Sequence, residues 1–326
     1  MLYRKLGKSN LPVSEIGFGA WQIGGEWGGT DDVEAIRCLH LAMELGVTFI
    51  DTAYGYGDGH SEKLIGQAIV GNRDKVVVAS KVPLKTFRWP VHDNEPVSTT
   101  FPADWVIQCT ERSLKNLRIE CLDLQQLHAW TPRYLKETDW LEGFRKLKQQ
   151  GKIKSFGVSA NDWDPHGPTE LIKSGLIDSV QVIYNIFEQR PAEQLLPAAL
   201  AANVGIIARV PFEEGFLTGA LDPDVQLAPK DWRNQWATLE RRLEAAPRVE
   251  VLKKFLAPDR PTLAILALKF CLSNPAVSTV IPGMRRQRHV RDNVAASDGK
   301  LLSPTEFNQL EQHKFVHGWA YPWANL

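Results

Sequence analysis

Four polar side chains of different chemistry lie at or just beyond the ends of short apolar, β-branched segments. They are an acid, a phenol, an amine and an imidazole: Asp51, Tyr56, Lys81 and His128. A strand buried in a parallel sheet is normally apolar, so a polar residue at its carboxyl end requires a reason. If the segments are strands of one barrel, the four groups project from one rim, where an unpaired buried charge is costly. We therefore expect them to pair.

The expected pairing indicates proton transfer. A neighbouring Lys81 ammonium favours phenolate and is expected to lower the pKa of Tyr56 from its ordinary value near 10. Asp51 would keep the buried Lys81 charged, and His128 could hydrogen-bond the reacting oxygen as an orienting group or second proton donor. Such a site protonates an oxygen on which charge develops. The sequence contains no HExxH or comparable metal-ligand spacing and no convincing nucleophile.

Later apolar segments carry polar residues too. Ser159 ends one segment with Asn161 just beyond it, Gln181 lies within the next, and Arg209 ends another. Each of these side chains has an ordinary structural explanation as a satisfied polar group. Taken together with the four residues above, they favour a shared site. His313 and His317, spaced four apart, could share a helix face, but a solvated face explains them better than a metal site.

The elements that would position these residues alternate along the whole chain. Apolar runs alternate with segments of helical periodicity, which predicts parallel strands with crossover helices and, for eight units, a TIM barrel. A doubly wound sheet is the rival, but Gln22 follows Gly17 and Gly19 where its dinucleotide motif needs a third glycine. The predicted strands are 15–18, 49–51, 76–81, 124–128, 155–159, 179–184, 205–210 and 278–281. The predicted helices are 31–45, 61–70, 102–117, 140–150, 168–174, 193–202, 262–273 and 287–296.

The chain length of 326 residues fits two domains or one barrel with long loops. Without a linker or repeat, we predict one domain, residues 1–326. Two connections, 82–101 after the third strand and 211–247 after the seventh, are long enough to be lids or binding loops. Both lie on the face of the barrel where active sites are built.

Composition narrows the partners. The chain is 44% hydrophobic and 23% charged with a formal net charge of zero, which is typical of a globular protein and removes the bulk electrostatic argument for binding nucleic acid or membranes. The four cysteines have no CxxC spacing and are expected to be reduced. With no signal peptide or membrane-length apolar segment, we expect a cytoplasmic protein. The oligomeric state cannot be read from the sequence.

The sequence resembles the aldo-keto reductases from about residue 2 to residue 315. The similar segments are GFGAW at 17–21, FIDTAYGYGDGHSEKLIG at 49–66, VVVASK at 76–81, DLQQLHAW at 123–130, IKSFGVSAND at 153–162 and VIPGMRRQRHVRDN at 280–293. Within that family the chain is most similar to the bacterial and plant branch of general-stress-type reductases, in which the seventh strand reads Arg followed by Val-Pro.

The resemblance implies a TIM barrel that uses NADP(H) to reduce aldehydes or ketones. Tyr56 would be the proton donor, Asp51 and Lys81 would lower its pKa, and His128 would orient the carbonyl. Two departures stand out: Ala160 separates Ser159 from Asn161, and Arg209 replaces an aromatic residue that stacks on nicotinamide in many members. The implied cofactor residues are Ala20, Trp21, Asp51, Ser159, Asn161, Gln181, Arg209, Val210, Pro211, Phe212, Gly283, Met284, Arg285, His289 and Asn293.

The basic run at residues 285–291 precedes or opens a predicted helix. Arginines at a helix N-terminus form a phosphate site. A solvated basic face or a nucleic-acid patch would be the alternative. The run lies where the family binds the adenosine 2′-phosphate, so the resemblance implies a preference for NADP(H), with Arg285 as the main contact.

Tryptophan is abundant, at 11 residues, and most of these residues follow predicted strands. In the family the C-terminal tail folds over the active-site mouth, so we predict an aromatic substrate pocket formed by Trp21, Trp89, Trp130, Trp319 and Trp323. Two alternatives to a reductase remain. One is a non-catalytic NADP(H)-binding redox sensor or regulatory subunit, and the other is a barrel isomerase or aldolase with Lys81 as a Schiff base.

Overall fold

Eight parallel strands form the central sheet of the protein, and strands that are consecutive in the sequence are neighbours in the sheet. The computed structural model describes residues 1–25, 27–29, 31–319 and 321–322. The strands are β1 Tyr3–Lys5, β2 Pro12–Ser14, β3 Phe18–Gly19, β4 Phe49–Asp51, β5 Val77–Val82, β6 Leu122–Leu127, β7 Ile153–Ser159, β8 Ser179–Ile183, β9 Gly205–Arg209 and β10 Val277–Val280. All eight predicted strands are confirmed, to within three residues at each end.

Helices follow the strands on the outside of the sheet. All eight predicted helices are confirmed to within two residues at each end. Four further helices were not predicted: Val97–Thr100, Arg233–Trp236, Leu239–Leu252 and Pro304–Glu311. The helices are α1 Asp32–Glu44, α2 His60–Ala68, α3 Val97–Thr100, α4 Ala103–Leu117, α5 Asp139–Gln149, α6 Thr169–Lys173, α7 Leu195–Ala201, α8 Arg233–Trp236, α9 Leu239–Leu252, α10 Leu263–Ser273, α11 Gln287–Val294 and α12 Pro304–Glu311.

The sheet closes on itself between its first and last strands. Parallel bridges join Ile16 to Val280 and Gly19 to Gly283, and the Gly19 amide donates to the Pro282 carbonyl at 3.0 Å. A Cβ atom on Gly19 would lie only 2.5 Å from the Ile281 carbonyl oxygen, so this closure requires glycine. The fold is therefore an α/β barrel of eight parallel strands with the carboxyl ends of all eight at one rim.

A hairpin that was not predicted covers the opposite end of the barrel. Strands β1 and β2 pair antiparallel. Leu6 and Val13 from this hairpin are fully buried in one cluster with Phe49, Leu124 and Ile207. This apolar plug fills the lower part of the barrel, at the end opposite to the rim formed by the carboxyl ends of the strands.

The structure corrects two sequence expectations about loops and termini. The connection predicted over 211–247 contains α8 and most of α9, and Pro247 lies inside α9 rather than at its boundary. His313 and His317 follow α12, which ends at Glu311, so they do not share a helix face. Within the described residues, no helix is long and apolar enough to span a membrane.

Candidate active site

Lys81 is the centre of a buried hydrogen-bonded cluster at the rim. Its Nζ donates to Asp51 Oδ2 at 2.7 Å, to the Thr52 carbonyl at 2.8 Å and to the Tyr56 hydroxyl at 3.1 Å. Asp51 pairs in register with Ala79 on β5, so Lys81 lies two residues further along that strand and reaches across the rim. The structure thus brings together the acid, amine and phenol that the sequence predicted to pair.

The loop that carries Tyr56 is fixed to its neighbours by buried hydrogen bonds. Ser61 lies in the first turn of α2, which begins at His60, and its hydroxyl donates to the Ala20 carbonyl at 2.9 Å. Glu62, which sequence reasoning missed, accepts from Ser80 at 2.6 Å and from Asn116 at 2.9 Å. Because Ser80 adjoins Lys81 on β5, Glu62 ties the Tyr56 loop to the strand that carries the lysine.

The pKa shifts correct one sequence expectation and match another. Burial raises the pKa of Tyr56, and the opposing charge of Lys81 does not cancel this effect, so the phenol stays protonated rather than becoming a phenolate. Burial alone would lower the pKa of Lys81, but the charges of Asp51 and Tyr56 outweigh it and raise that pKa. The cluster at neutral pH is therefore an ammonium beside a neutral phenol.

His128 lies just beyond β6, with its ring beside that of Tyr56. The two ring centroids are 5.7 Å apart and the rings are nearly perpendicular. Burial, followed by the charges of Lys81 and Arg209, lowers the pKa of His128 well below its usual value. The imidazole is therefore neutral at pH 7. Asp51 and Lys81 are buried, whereas Tyr56 and His128 are partly exposed at the rim.

The two amide side chains among the implied cofactor residues have different surroundings. Gln181 donates from Nε2 to Asp51 Oδ1 at 2.8 Å, so it also orients the acid of the tetrad, the set formed by Asp51, Tyr56, Lys81 and His128. Asn161 donates from Nδ2 to the Val91 carbonyl at 3.0 Å. Its Oδ1 is buried and accepts no hydrogen bond within the described part of the chain. Ser159 is buried beside Gln181, with which it pairs in register.

Arg209 is held by an acid that sequence reasoning missed. Its Nη2 donates to Asp162 Oδ1 at 2.6 Å and to the Ala160 carbonyl at 3.0 Å. Asp162 also accepts from Trp89 Nε1 at 3.2 Å. The signal for Asp162 was present in the sequence, because it continues the polar run that begins at Ser159.

Two of the predicted pocket tryptophans flank the tetrad. The Trp21 ring lies 6.4 Å from the Tyr56 ring, and the Trp89 ring lies 5.0 Å from the His128 ring. Trp232, in the loop after β9, extends this aromatic wall, with its ring 5.5 Å from Trp21.

Trp130 and Trp319 do not flank the tetrad. Trp130 is a correction: it is 0% exposed and packs against Tyr134 and Trp140 in the hydrophobic core. Trp319 packs on Phe216 and Trp236 of the loop after β9. Trp323 lies outside the described residues.

Further predicted cofactor residues differ in accessibility. Ala20 and Met284 are corrections, because both are 0% exposed and present no surface to a ligand. Asn293 is also buried and donates to the Gly283 carbonyl at 3.4 Å. A Cβ on Gly283 would lie 2.4 Å from the Gln22 side chain, whose flexible end would have to move. Val210 and Phe212 are partly exposed after β9, and Pro211 between them is buried.

The basic run surrounds the start of α11. Arg285 is half-buried and donates from Nη1 to the Trp27 carbonyl, whereas Arg286 and Arg288 are exposed. Burial, followed by the charges of Arg288, Arg285 and Arg286, lowers the pKa of His289, so its ring is neutral at pH 7. No group of three His, Cys, Asp or Glu side chains suited to a metal occurs in the described ranges.

The barrel and its rim cluster define a class of α/β-barrel protein with a buried acid, amine and phenol joined by hydrogen bonds at the carboxyl ends of the strands. The chain belongs to the aldo/keto reductase family, whose family model matches residues 15–314. The relatives include an NADH-specific methylglyoxal reductase of Escherichia coli, which is 28% identical over 89% of this chain and 92% of its own. A probable voltage-gated potassium channel subunit beta of Arabidopsis thaliana is 30% identical over 96% of each chain. Among solved structures, the holo form of aldo-keto reductase AKR11C1 from Bacillus halodurans superposes with a TM-score of 0.76, at 28% identity over 97% of each chain.

Proposed function

We propose that the protein is an NADPH-dependent oxidoreductase that reduces aldehydes or ketones to alcohols. The observation that carries this proposal is the contact between Lys81 and the Tyr56 hydroxyl at 3.1 Å, with Tyr56 partly exposed beside His128. A phenol in this position presents its proton to an oxygen bound at the rim. The substrate would be a small carbonyl compound, and residues 1–326 would form the one domain that binds it. The protein would act in the cytoplasm.

Each tetrad residue has a separate task in this proposal. Tyr56 donates its proton to the carbonyl oxygen as negative charge develops there. Lys81 stabilises the phenolate that remains, because its ammonium is held charged by Asp51. The neutral His128 donates a hydrogen bond that orients the same oxygen. Lys81 donates its three N–H groups to Asp51, Thr52 and Tyr56. These contacts hold the amine protonated, which disfavours the alternative in which Lys81 attacks a carbonyl compound to form a Schiff base.

The residues near the tetrad fit a nicotinamide cofactor, which supplies a hydride to the carbonyl carbon when bound. The buried, unpartnered Oδ1 of Asn161 matches an amide N–H donor, such as that of a carboxamide. Ser159 and Gln181 would bind the same group, and Trp21, Arg209, Val210 and Phe212 would surround the ring. Exposed arginines at the start of α11, together with Arg285 and His289, would bind a 2′-phosphate and favour NADPH over NADH.

The substrate would lie between Trp21 and Trp89, above Tyr56 and His128. The wall is completed by Trp232, and the tail reaches the same loop through Trp319 and Tyr321. We propose that this tail and the loops after β5 and β9 cover the mouth. An apolar aromatic wall favours carbonyl compounds with an apolar body over fully polar ones.

A second candidate is a regulatory subunit that binds NADP(H) without turnover, as the similarity to a channel beta subunit suggests. The test combines two measurements on the purified protein: the dissociation constant for NADPH, and the loss of NADPH absorbance with a panel of aldehydes, ketones and 1,2-dicarbonyls. Turnover that requires substrate supports the reductase. Tight NADPH binding with no turnover across the panel would instead favour the regulatory subunit.

A further inference from the structure

Two cations, Lys81 and Arg209, lie near Tyr56 and His128. Lys81 is compensated by Asp51, which belongs to the proposed catalytic cluster. Arg209 lies at the rim end of β9, and its positive charge is among the influences that lower the pKa of both Tyr56 and His128. The balance of charge around Arg209 therefore bears directly on the proton chemistry of the site.

Asp162 supplies that balance. The Asp162 and Arg209 side chains are only 14% and 16% exposed, and their ion pair of 2.6 Å is thus largely shielded from water. Removing one partner of such a pair leaves an uncompensated charge in a poorly solvated place. Tyr321 and Glu214 also face Arg209, but the direct carboxylate contact comes from Asp162.

The segment 160–162 fixes the pair by its backbone as well as its side chains. The Ala160 carbonyl accepts from Arg209, Asn161 turns toward the Val91 carbonyl, and Asp162 faces Arg209. Asp162 also binds the indole N–H of Trp89, whose ring lies on His128. One carboxylate thus connects the end of β9 to the loop after β5, on both sides of the proposed substrate position.

We propose that Asp162 is a positioning residue that holds Arg209 beside Tyr56 and His128 as a charge-compensated pair and that fixes Trp89 over His128. Ala160 and Arg209, the two positions at which the sequence differs from the family it resembles, meet in this cluster, because the Ala160 carbonyl accepts from Arg209. This inference rests on the proposed function. A compensated arginine tolerates a positively charged nicotinamide, whereas a bare one repels it.

The test is the isosteric variant Asp162→Asn, measured by tryptophan fluorescence titration with NADP⁺ and with NADPH. We expect the ratio of the NADP⁺ to the NADPH dissociation constant to rise by about tenfold, because an uncompensated guanidinium repels only the oxidised ring. We also expect the pH profile of kcat to move to lower pH by roughly one unit, since a bare cation lowers the pKa of Tyr56.

Two further variants separate a charge effect from a general structural one. Arg209→Gln alone leaves Asp162 as the uncompensated group and should move both readouts in the opposite direction, a result that does not depend on whether Asp162→Asn folds. The double variant Asp162→Asn with Arg209→Gln should return both readouts toward those of the wild type. As a matched control, Asp298→Asn removes an acid partner of the buried Lys269 far along the chain and should move neither.

The outcomes distinguish this inference from the proposed function. If the wild type reduces carbonyl compounds and Asp162→Asn has the same ratio of dissociation constants and the same pH profile of kcat, the inference is overturned and the proposed reductase still stands. The wild type could instead bind NADPH but turn over no carbonyl compound, while Asp162→Asn still changes the ratio of dissociation constants. That result would support the charge pair and overturn the proposed reductase. A double variant that keeps the full shift of Asp162→Asn would also overturn the inference.

Discussion

Glu214 gives the fold a pH dependence that a single substitution should remove. This glutamate lies in the loop after β9, is 7% exposed, and accepts a hydrogen bond from the Tyr321 hydroxyl at 3.3 Å. Burial, together with the charge of the adjacent Glu213, raises the pKa of Glu214 to about 8, and the charge of Arg233 opposes this only in part. The side chain is therefore neutral in the folded protein under conditions that ionise it in the unfolded chain.

The sign of the effect follows from proton binding. Between the ordinary pKa of 4.5 and about 8, the folded state holds a proton that the unfolded state releases, so stability falls as pH rises through this window. Below pH 4.5 the group contributes no pH dependence, and above pH 8 its cost is constant. One pKa unit corresponds to about 1.4 kcal/mol, so the full cost reaches up to about 5 kcal/mol.

Glu214→Gln removes the ionisable proton and keeps an oxygen that can accept from Tyr321. The free energy of unfolding, measured by urea titration, should be similar for variant and wild type at pH 5. At pH 9 the variant should be more stable by several kcal/mol, up to the limit above. Glu250→Gln, on the exposed face of α9, is the matched control and should show no such difference.

An equal stability difference between Glu214→Gln and wild type at pH 5 and pH 9 would refute the reasoning. So would a variant that is less stable than wild type at pH 9. Either result would mean that Glu214 is ionised in the folded protein, with its charge compensated by Arg233 or Arg209.

Three further outcomes are expected. Trp130→Ala should lower the free energy of unfolding by about 3–5 kcal/mol, because it leaves a cavity in the core. It should leave the KM for substrate unchanged, and a raised KM would show that Trp130 lines the substrate pocket. Arg285→Ala should raise the KM for NADPH by about tenfold and leave the KM for NADH unchanged. Equal increases in both KM values would contradict the assignment of Arg285 as a contact of the 2′-phosphate. Saturation with NADPH should strongly quench tryptophan fluorescence through Trp21 and Trp89, and a negligible change would contradict their placement.

The barrel was predictable because its signals are local and repeated. Each strand is a short apolar run, and the parallel order places all their carboxyl ends at one rim, so the contact of Lys81 with Asp51 and Tyr56 followed from strand ends alone. The hairpin of β1 and β2 was not predictable in this way. Its strands have only three residues each, and the contribution of Leu6 and Val13 depends on the far end of the barrel.

The remaining errors arise from burial and side-chain direction, which spacing does not encode. Sequence reasoning included the charge of Lys81 on Tyr56 but not the burial of the phenol, which reverses the direction of its pKa shift. Trp130 follows a strand on the catalytic face, yet its ring turns into the core against Trp140. Asp162 was overlooked because its role depends on how the chain turns after Ser159.

The most direct test of the central claim is the turnover of Tyr56→Phe, which removes one oxygen atom from the site and keeps the ring. We predict that kcat falls by at least 100-fold, since general acid catalysis contributes about 10² to 10⁴, while the dissociation constant for NADPH stays within about twofold of the wild-type value. Carbonyl reduction by Tyr56→Phe at close to the wild-type rate would contradict the assignment of Tyr56 as the proton donor.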